Sequence, residues 1–321
     1  MKRKIYVTRK IPASIYDQLV QHLDVKMWEE EDIPVPREVL LKEIKDVDGL
    51  FCTITETIDE KMISHAENLK IISNMAVGFN HIDVKFANKK GIVVTNTPGV
   101  LTETTADLTF ALLMATARRV VEASNYLRNG EWKSWSPMQL IGKDIYGATI
   151  GIIGMGRIGQ ALARRAKGFG MKILYYNRSR KLEIEKELGA EYCDLDTLLE
   201  TSDYVSILIP YSPGVKYLIG NKELQRMKKT AILINTARGG IIDEQALYNA
   251  LKNKEIWAAG LDVFEKEPID LDSPLLTLPN VVTLPHIGSA SEATRIKMAE
   301  ITADNLIQFL EGGDPLTPVI I

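Results

Sequence analysis

The chain has 321 residues, a length that favours two domains over one, and its hydrophobic fraction of 45% is enough for two buried cores. Its 39 basic and 42 acidic residues nearly cancel, which leaves no electrostatic footprint for nucleic acid or an anionic membrane. A small anionic ligand stays possible, since that needs only one local cationic site. Cys52 and Cys193 are far apart and lack metal-ligand spacing. They read as free thiols in a reducing compartment, so a cytoplasmic protein without a metal is expected. No apolar signal region follows Lys2-Arg3-Lys4, and the apolar runs fall short of the roughly 18 residues that a membrane span needs.

Along the first hundred residues, short apolar runs at 5–8, 49–53, 71–76 and 92–95 predict buried strands. Amphipathic stretches at 14–22, 37–44, 59–66 and 83–90 predict the helices between them. Such alternation implies parallel pairing with crossover helices. A turn cluster, Asn96-Thr97-Pro98-Gly99, follows, and a polar, acidic start at 102–107 then opens a long helical pattern to about Arg128. Such a helix suits a bridge between domains and puts a boundary near residue 98. The segment 129–142 holds Trp132, Trp135, Pro137 and Met138, large groups that need burial in this chain or in a partner.

A second alternation begins at residue 149, with strands predicted at 149–153, 172–176, 204–209, 231–235, 257–263 and 281–284, and notable helices at 157–168 and 244–251. This is a doubly wound unit of six or seven strands. A last helix, 291 to about 310, is expected to return to the first domain and make it discontinuous. The fold class is therefore α/β, with two doubly wound, Rossmann-like parallel-sheet domains. One spans residues 1–98 and 288–321, the other 99–287.

The sharpest motif is Gly154-Met155-Gly156-Arg157-Ile158-Gly159, placed between a predicted strand and a predicted helix. Gly154 permits the tight turn, Gly156 lets backbone approach a pyrophosphate, and Gly159 lets helix and strand pack closely. The helix start then offers free N–H groups and a partial positive charge to phosphates. The second strand ends in Asn177-Arg178-Ser179-Arg180, without the carboxylate that would bond ribose hydroxyls. Two guanidinium groups and a hydroxyl suit a 2′-phosphate instead, so NADP(H) is expected over NAD(H), which remains possible.

Three polar elements follow later strands: Asn235-Thr236-Ala237-Arg238, Asp262 to Glu267-Pro268, and Pro285-His286-Ile287-Gly288-Ser289. In an open parallel sheet, ligands bind beyond the carboxyl ends of strands. Arginine can grip a carboxylate and polarise a ketone, imidazole can give a proton, and a carboxylate can orient the imidazole. These types suit hydride transfer to a 2-oxo acid. Glu265 reads as a solvated neighbour of Glu267.

With Val77-Gly78-Phe79-Asn80-His81-Ile82-Asp83 and Asn96-Thr97-Pro98 added, these motifs make the chain resemble the D-isomer-specific 2-hydroxyacid dehydrogenases over nearly its whole length. The segment from Trp132 to Pro137 and the Arg178-Ser179-Arg180 turn look most like the glyoxylate/hydroxypyruvate reductase branch. The resemblance implies reduction of a small 2-oxo acid by hydride transfer, with Arg238, Glu267 and His286 as the catalytic set and His286 as proton donor. It implies cofactor contacts at Gly154, Gly156, Arg157, Ile158, Gly159, Asn177, Arg178, Ser179, Arg180, Thr236, Ala237, Arg238, Asp262, His286 and Gly288. Substrate contacts are expected at Thr53, Ile54, Val77, Gly78, Arg238 and His286, and at Trp135 from the partner of a homodimer. The alternatives are a D-3-phosphoglycerate dehydrogenase-like enzyme, a non-enzymatic NAD(H)-binding corepressor, and a formate or phosphite dehydrogenase.

Overall fold

The structure is a computed structural model that describes residues 2–320. The first half contains β1 (Lys4–Val7), α1 (Ala13–His22), β2 (Asp24–Met27), α2 (Arg37–Glu43), β3 (Gly49–Cys52), α3 (Glu60–His65), β4 (Ile71–Asn74), α4 (Val84–Lys89) and β5 (Val93–Thr95). There follow α5 (Thr102–Ala117), α6 (Val120–Arg128), β6 (Thr149–Ile153), α7 (Arg157–Gly168), β7 (Lys172–Tyr176), α8 (Leu182–Leu188), β8 (Glu191–Tyr192), α9 (Leu195–Thr201) and β9 (Tyr204–Ile207). The chain ends with α10 (Asn221–Arg226), β10 (Ile232–Asn235), α11 (Glu244–Lys252), β11 (Ala258–Leu261), β12 (Val281–Thr283) and α12 (Glu292–Leu310). It divides into two compact units. Unit 1 runs to Leu101 and resumes at Ala290, and unit 2 runs from Thr102 to Ser289.

Unit 1 is a five-stranded parallel sheet in the order β2-β1-β3-β4-β5. Every residue of β3 and β4 is buried, because helices cover both faces. On one face α12 returns to pack Ala299, Ala303 and Leu306 against Ile5, Val7, Phe51 and Ile71. The opposite face packs Leu40, Ile44, Met62 and Ala87 onto Tyr6, Leu50 and Ile72. Asp59 and Asp83 start α3 and α4 by accepting the Met62 and Phe86 amides, as N-caps do. Beyond α12 the chain pairs with β5, the Val319 amide donating to the Val94 carbonyl at 2.8 Å, and so closes a sheet edge.

Unit 2 is a seven-stranded parallel sheet in the order β12-β11-β10-β9-β6-β7-β8. The order reverses between β6 and β9, which makes the carboxyl end of β6 the topological switch point where such sheets bind ligands. Gly151, within β6, lies against Ser202 and Leu198, where an added Cβ would come within 2.4 Å of the serine hydroxyl.

Two expectations need correction. The long helix from residue 102 is two helices, because Arg119 adopts φ 53° and ends the first one. The Ala117 carbonyl is instead taken by the Lys143 amide at 2.8 Å. The short strands β2 and β8 also escaped the hydrophobic pattern. Among the described residues, no helix is long and apolar enough to cross a membrane, and no group of three or more His, Cys, Asp or Glu side chains could hold a metal ion.

Leu306 is fully buried against β1 and β3. Leu306→Ala should therefore destabilise unit 1 by about 2–5 kcal/mol, as large-to-small core changes do. Denaturant unfolding curves check this, and an unchanged midpoint would show that α12 is not part of that core.

Candidate active site

The site in unit 2 is built by three segments that leave the carboxyl ends of neighbouring strands. After β10, the Asn235 side chain closes a tight loop: its Nδ2 donates to the Arg238 carbonyl at 2.8 Å and its Oδ1 accepts the Ala237 amide at 3.0 Å. Thr236 is anchored from α5 by a 2.7 Å hydrogen bond between its hydroxyl and that of Thr109. Gly239 follows in direct contact with the segment after β11, since a Cβ there would sit 1.8 Å from the Phe264 carbonyl carbon. No side chain fits, and this closeness sets Arg238 beside the Glu267 loop.

After β11, Asp262 is fully buried and ties down the third segment. Its carbonyl accepts the His286 amide at 2.9 Å, and its Oδ1 accepts the Ile287 amide at 2.8 Å. These bonds hold His286 at φ 55°, a left-handed backbone that a non-glycine residue keeps only where its surroundings impose it. The result is a 2.6 Å hydrogen bond between His286 Nδ1 and Glu267 Oε2. Glu267 Oε1 meanwhile accepts the Phe264 amide at 3.0 Å, so both carboxylate oxygens are fixed. With Nδ1 engaged, Nε2 is the nitrogen left for proton exchange.

Electrostatics follows from this packing. Burial pushes the Glu267 carboxyl up, but His286, the Phe264 amide and the Arg238 guanidinium outweigh it and hold it below the usual carboxyl range. Burial lowers Arg238 from its ordinary value, with Glu267 opposing. Burial raises Asp262, against the Ile287 amide, His286 and the Gly288 amide. Asp262 Oδ2 is buried and accepts no hydrogen bond from the protein. It lies beside Gly288, where a Cβ would stand 3.3 Å from it.

The glycine turn after β6 fits a dinucleotide. Gly154 has φ 108°, and a Cβ on it would strike the Leu208 backbone at 2.8 Å. A Cβ on Gly159 would lie 2.1 Å from the Gly154 carbonyl oxygen, so α7 can start this close to β6 only with glycine. Gly156 is exposed with nothing within 4 Å of a Cβ position, which leaves room for a phosphate against the start of α7. Arg157 and Ile158 form the first turn of that helix. Beyond β7, Asn177 Nδ2 bonds the Ser179 carbonyl at 2.9 Å and shapes the turn. Arg178 is exposed, and among the described residues no carboxylate pairs with it. Arg180 instead turns back to Glu185.

The unit 1 residues form their own group at strand carboxyl ends. Thr53 and Ile54 follow β3 and are half-buried, as are Val77 and Gly78 beyond β4. The Val77 and Gly78 carbonyls accept from Asn96 and Asn74 side chains, each at 2.9 Å. Among the described residues, no acceptor engages their amides. Sequence reasoning missed Glu56, a buried carboxylate that accepts the Thr53 amide at 2.8 Å and the Thr8 hydroxyl at 2.9 Å. Glu265 is more than a solvated neighbour, because it accepts the Tyr217 hydroxyl at 2.8 Å and the Glu244 amide at 3.0 Å. Both carboxylates act through loop partners that carry no motif. Trp135 is 77% exposed in its chain.

Comparison with known proteins gives the family. Residues 110–288 match the family model described as D-isomer specific 2-hydroxyacid dehydrogenase, NAD binding domain. A glyoxylate reductase of Korarchaeum cryptofilum is 54% identical over 98% of this chain and 95% of its own. A Thermus thermophilus protein of known structure superposes with a TM-score of 0.93 at 44% identity, covering 99% of this chain and 100% of its own. An NADPH-dependent glyoxylate/hydroxypyruvate reductase of Sinorhizobium meliloti, solved with NADP and malonate, does so at 0.87 and 34% identity over 99% and 97%. The chain belongs to the D-isomer-specific 2-hydroxyacid dehydrogenase family, as an enzyme that uses a nicotinamide cofactor.

Proposed function

We propose that this enzyme reduces glyoxylate to glycolate and hydroxypyruvate to D-glycerate, with NADP(H) as preferred cofactor and His286 as proton donor. The observation that carries this reading is the 2.6 Å His286–Glu267 pair beside Arg238, in the same unit as the glycine turn. When bound, the reduced nicotinamide supplies the hydride. Arg238 grips the substrate carboxylate and polarises the ketone. Nε2 of His286 gives a proton to the carbonyl oxygen, so that hydride and proton together turn C=O into CH–OH. Glu267 holds the imidazole in place.

Gly154, Gly156, Arg157, Ile158 and Gly159 would hold the pyrophosphate, and Asp262 Oδ2, with Thr236, Ala237 and Gly288, would offer polar contacts to the nicotinamide end. The turn Asn177–Arg178–Ser179–Arg180 receives the adenosine ribose. Its lack of a carboxylate supports NADP(H), as does the NADP found in the Sinorhizobium meliloti enzyme. From unit 1, the unengaged Val77 and Gly78 amides are assigned to the substrate carboxylate, and Thr53 and Ile54 to its surroundings.

We propose further that the enzyme is a homodimer. Trp135 and Met138 are 77% and 71% exposed, and Trp132, Ile141, Val120, Val121 and Leu127 are exposed as well. Exposed apolar side chains concentrated in one segment suit an interface, and an isologous one would let each subunit lend Trp135 to the substrate site of the other.

A steady-state panel of 2-oxo acids should give higher kcat/KM for glyoxylate and hydroxypyruvate than for pyruvate or phenylpyruvate. A clear preference for phenylpyruvate would refute the substrate assignment.

His286→Ala should lower kcat by about 10²–10⁴, the usual worth of a positioned general acid. His286 helps hold Glu267 ionised, and the carboxylate in turn fixes the imidazole through Nδ1. Glu267→Gln should therefore lower kcat, because the imidazole loses the carboxylate that orients it, while cofactor binding stays intact. An unchanged kcat would remove Glu267 from this role.

A mixed dimer tests Trp135. One subunit carries Trp135→Ala with an intact catalytic set, and the other carries His286→Ala with an intact Trp135. Wild-type substrate selectivity at the one competent site is the expected result. The relaxed selectivity of the Trp135→Ala homodimer would place the residue's action within its own chain.

A further inference from the structure

The turn after β7 carries two arginines, yet the structure treats them differently. Arg178 is exposed and pairs with no carboxylate among the described residues. Arg180 is bound bidentately by Glu185 of α8, with Nε 3.1 Å from Oε1 and Nη2 2.5 Å from Oε2. The same Oε1 accepts the hydroxyl of the buried Tyr175 at 2.6 Å, and that hydroxyl accepts the Lys181 amide at 2.7 Å. The Arg180 guanidinium also lies over the ring of Tyr192 in β8, 5.7 Å from its centre, and Tyr192 packs edgewise on Tyr175 at 5.4 Å. Glu185 is thus fixed from the protein side by a buried tyrosine, and Arg180 is fixed by Glu185.

A carboxylate and a phosphate compete for the same guanidinium fork. An arginine already paired in this way adds little net charge to the turn and has fewer donors to spare. We propose that Glu185 sets how strongly the enzyme favours a 2′-phosphorylated cofactor: it occupies Arg180, so that Arg178 carries the phosphate. This rests on the reading of the turn as the adenosine ribose site. Glu185 touches no cofactor in this scheme. It is a specificity-determining residue that acts through Arg180, and it restrains the preference for NADP(H) that two unpaired arginines would give.

Binding of adenosine 2′,5′-bisphosphate and of adenosine 5′-diphosphate to the full-length enzyme, measured by calorimetry at low ionic strength, tests this without turnover. Native enzyme should prefer the 2′-phosphorylated probe, and Arg178→Ala should lose about tenfold for that probe alone, the worth of one charged hydrogen bond. Arg180→Ala should change its affinity less than about twofold, because the guanidinium is withheld. Glu185→Gln should raise it about tenfold, and Arg180→Ala in that background should remove the gain. Affinity for adenosine 5′-diphosphate should stay constant throughout.

A tenfold loss in Arg180→Ala alone, or no gain in Glu185→Gln, would overturn the inference while leaving the ribose-site reading in place. No preference in the native enzyme, with no effect of Arg178→Ala, would overturn both. Thermal melting confirms that each variant is folded, and the Arg180→Ala arm tests the inference without altering Glu185.

Discussion

The chemistry of unit 2 depends on how closely the segment after β10 packs on the segment after β11. Position 239 has no room for a Cβ, which would meet the Phe264 carbonyl carbon at 1.8 Å. That contact brings the Arg238 loop and the Glu267 loop together at backbone distance. Asp262 then fixes the third segment through its carbonyl and one carboxylate oxygen, and His286 is forced into a left-handed backbone to reach Glu267. Backbone contacts rather than long flexible side chains therefore set the geometry, so little ordering remains to be done when a substrate binds.

Charge follows the same economy. The chain is close to neutral overall, with a formal charge of −3, yet it concentrates positive potential where anions are expected. Arg238 is kept against its desolvation cost by Glu267, and the exposed start of α7 at Gly156 adds the partial charge of a helix terminus. In the turn after β7, Glu185 offsets the charge of one of two arginines. Positive charge of this kind is local, and an acidic protein can supply it.

Much of this was legible in the sequence, and the parts that were not have physical reasons. Fully buried parallel strands such as β3, β4, β9 and β10 read as continuous apolar runs. The edge strands β2 and β8 are half or wholly exposed and carry no such run. The break at Arg119 has no proline or glycine to announce it. It follows from distant chain, because the segment at Gly142 and Lys143 packs on the end of α5, where a Cβ on Gly142 would stand 2.3 Å from the Ala117 carbonyl. Arg238, Glu267 and His286 stood out in the sequence because each lies in a specific motif that follows a strand end. The contacts by which Glu56 holds Thr53, Glu265 holds Tyr217 and Glu185 holds Arg180 were not readable. These carboxylates act through contacts at five, twenty-one or forty-eight residues' separation, which no local periodicity encodes.

The His286–Glu267 bond is open to direct observation. In proton NMR, an imidazole Nδ1–H held by a carboxylate gives a far-downfield, slowly exchanging signal. Of the four histidines, His22 also meets a carboxylate, Glu311 at 2.8 Å, but at an exposed site where exchange with water is fast. We expect the slowly exchanging signal in the native enzyme, lost in both His286→Ala and Glu267→Gln. A native spectrum without it, or one in which Glu267→Gln leaves it unchanged, would contradict the pairing on which the proposed proton donation rests.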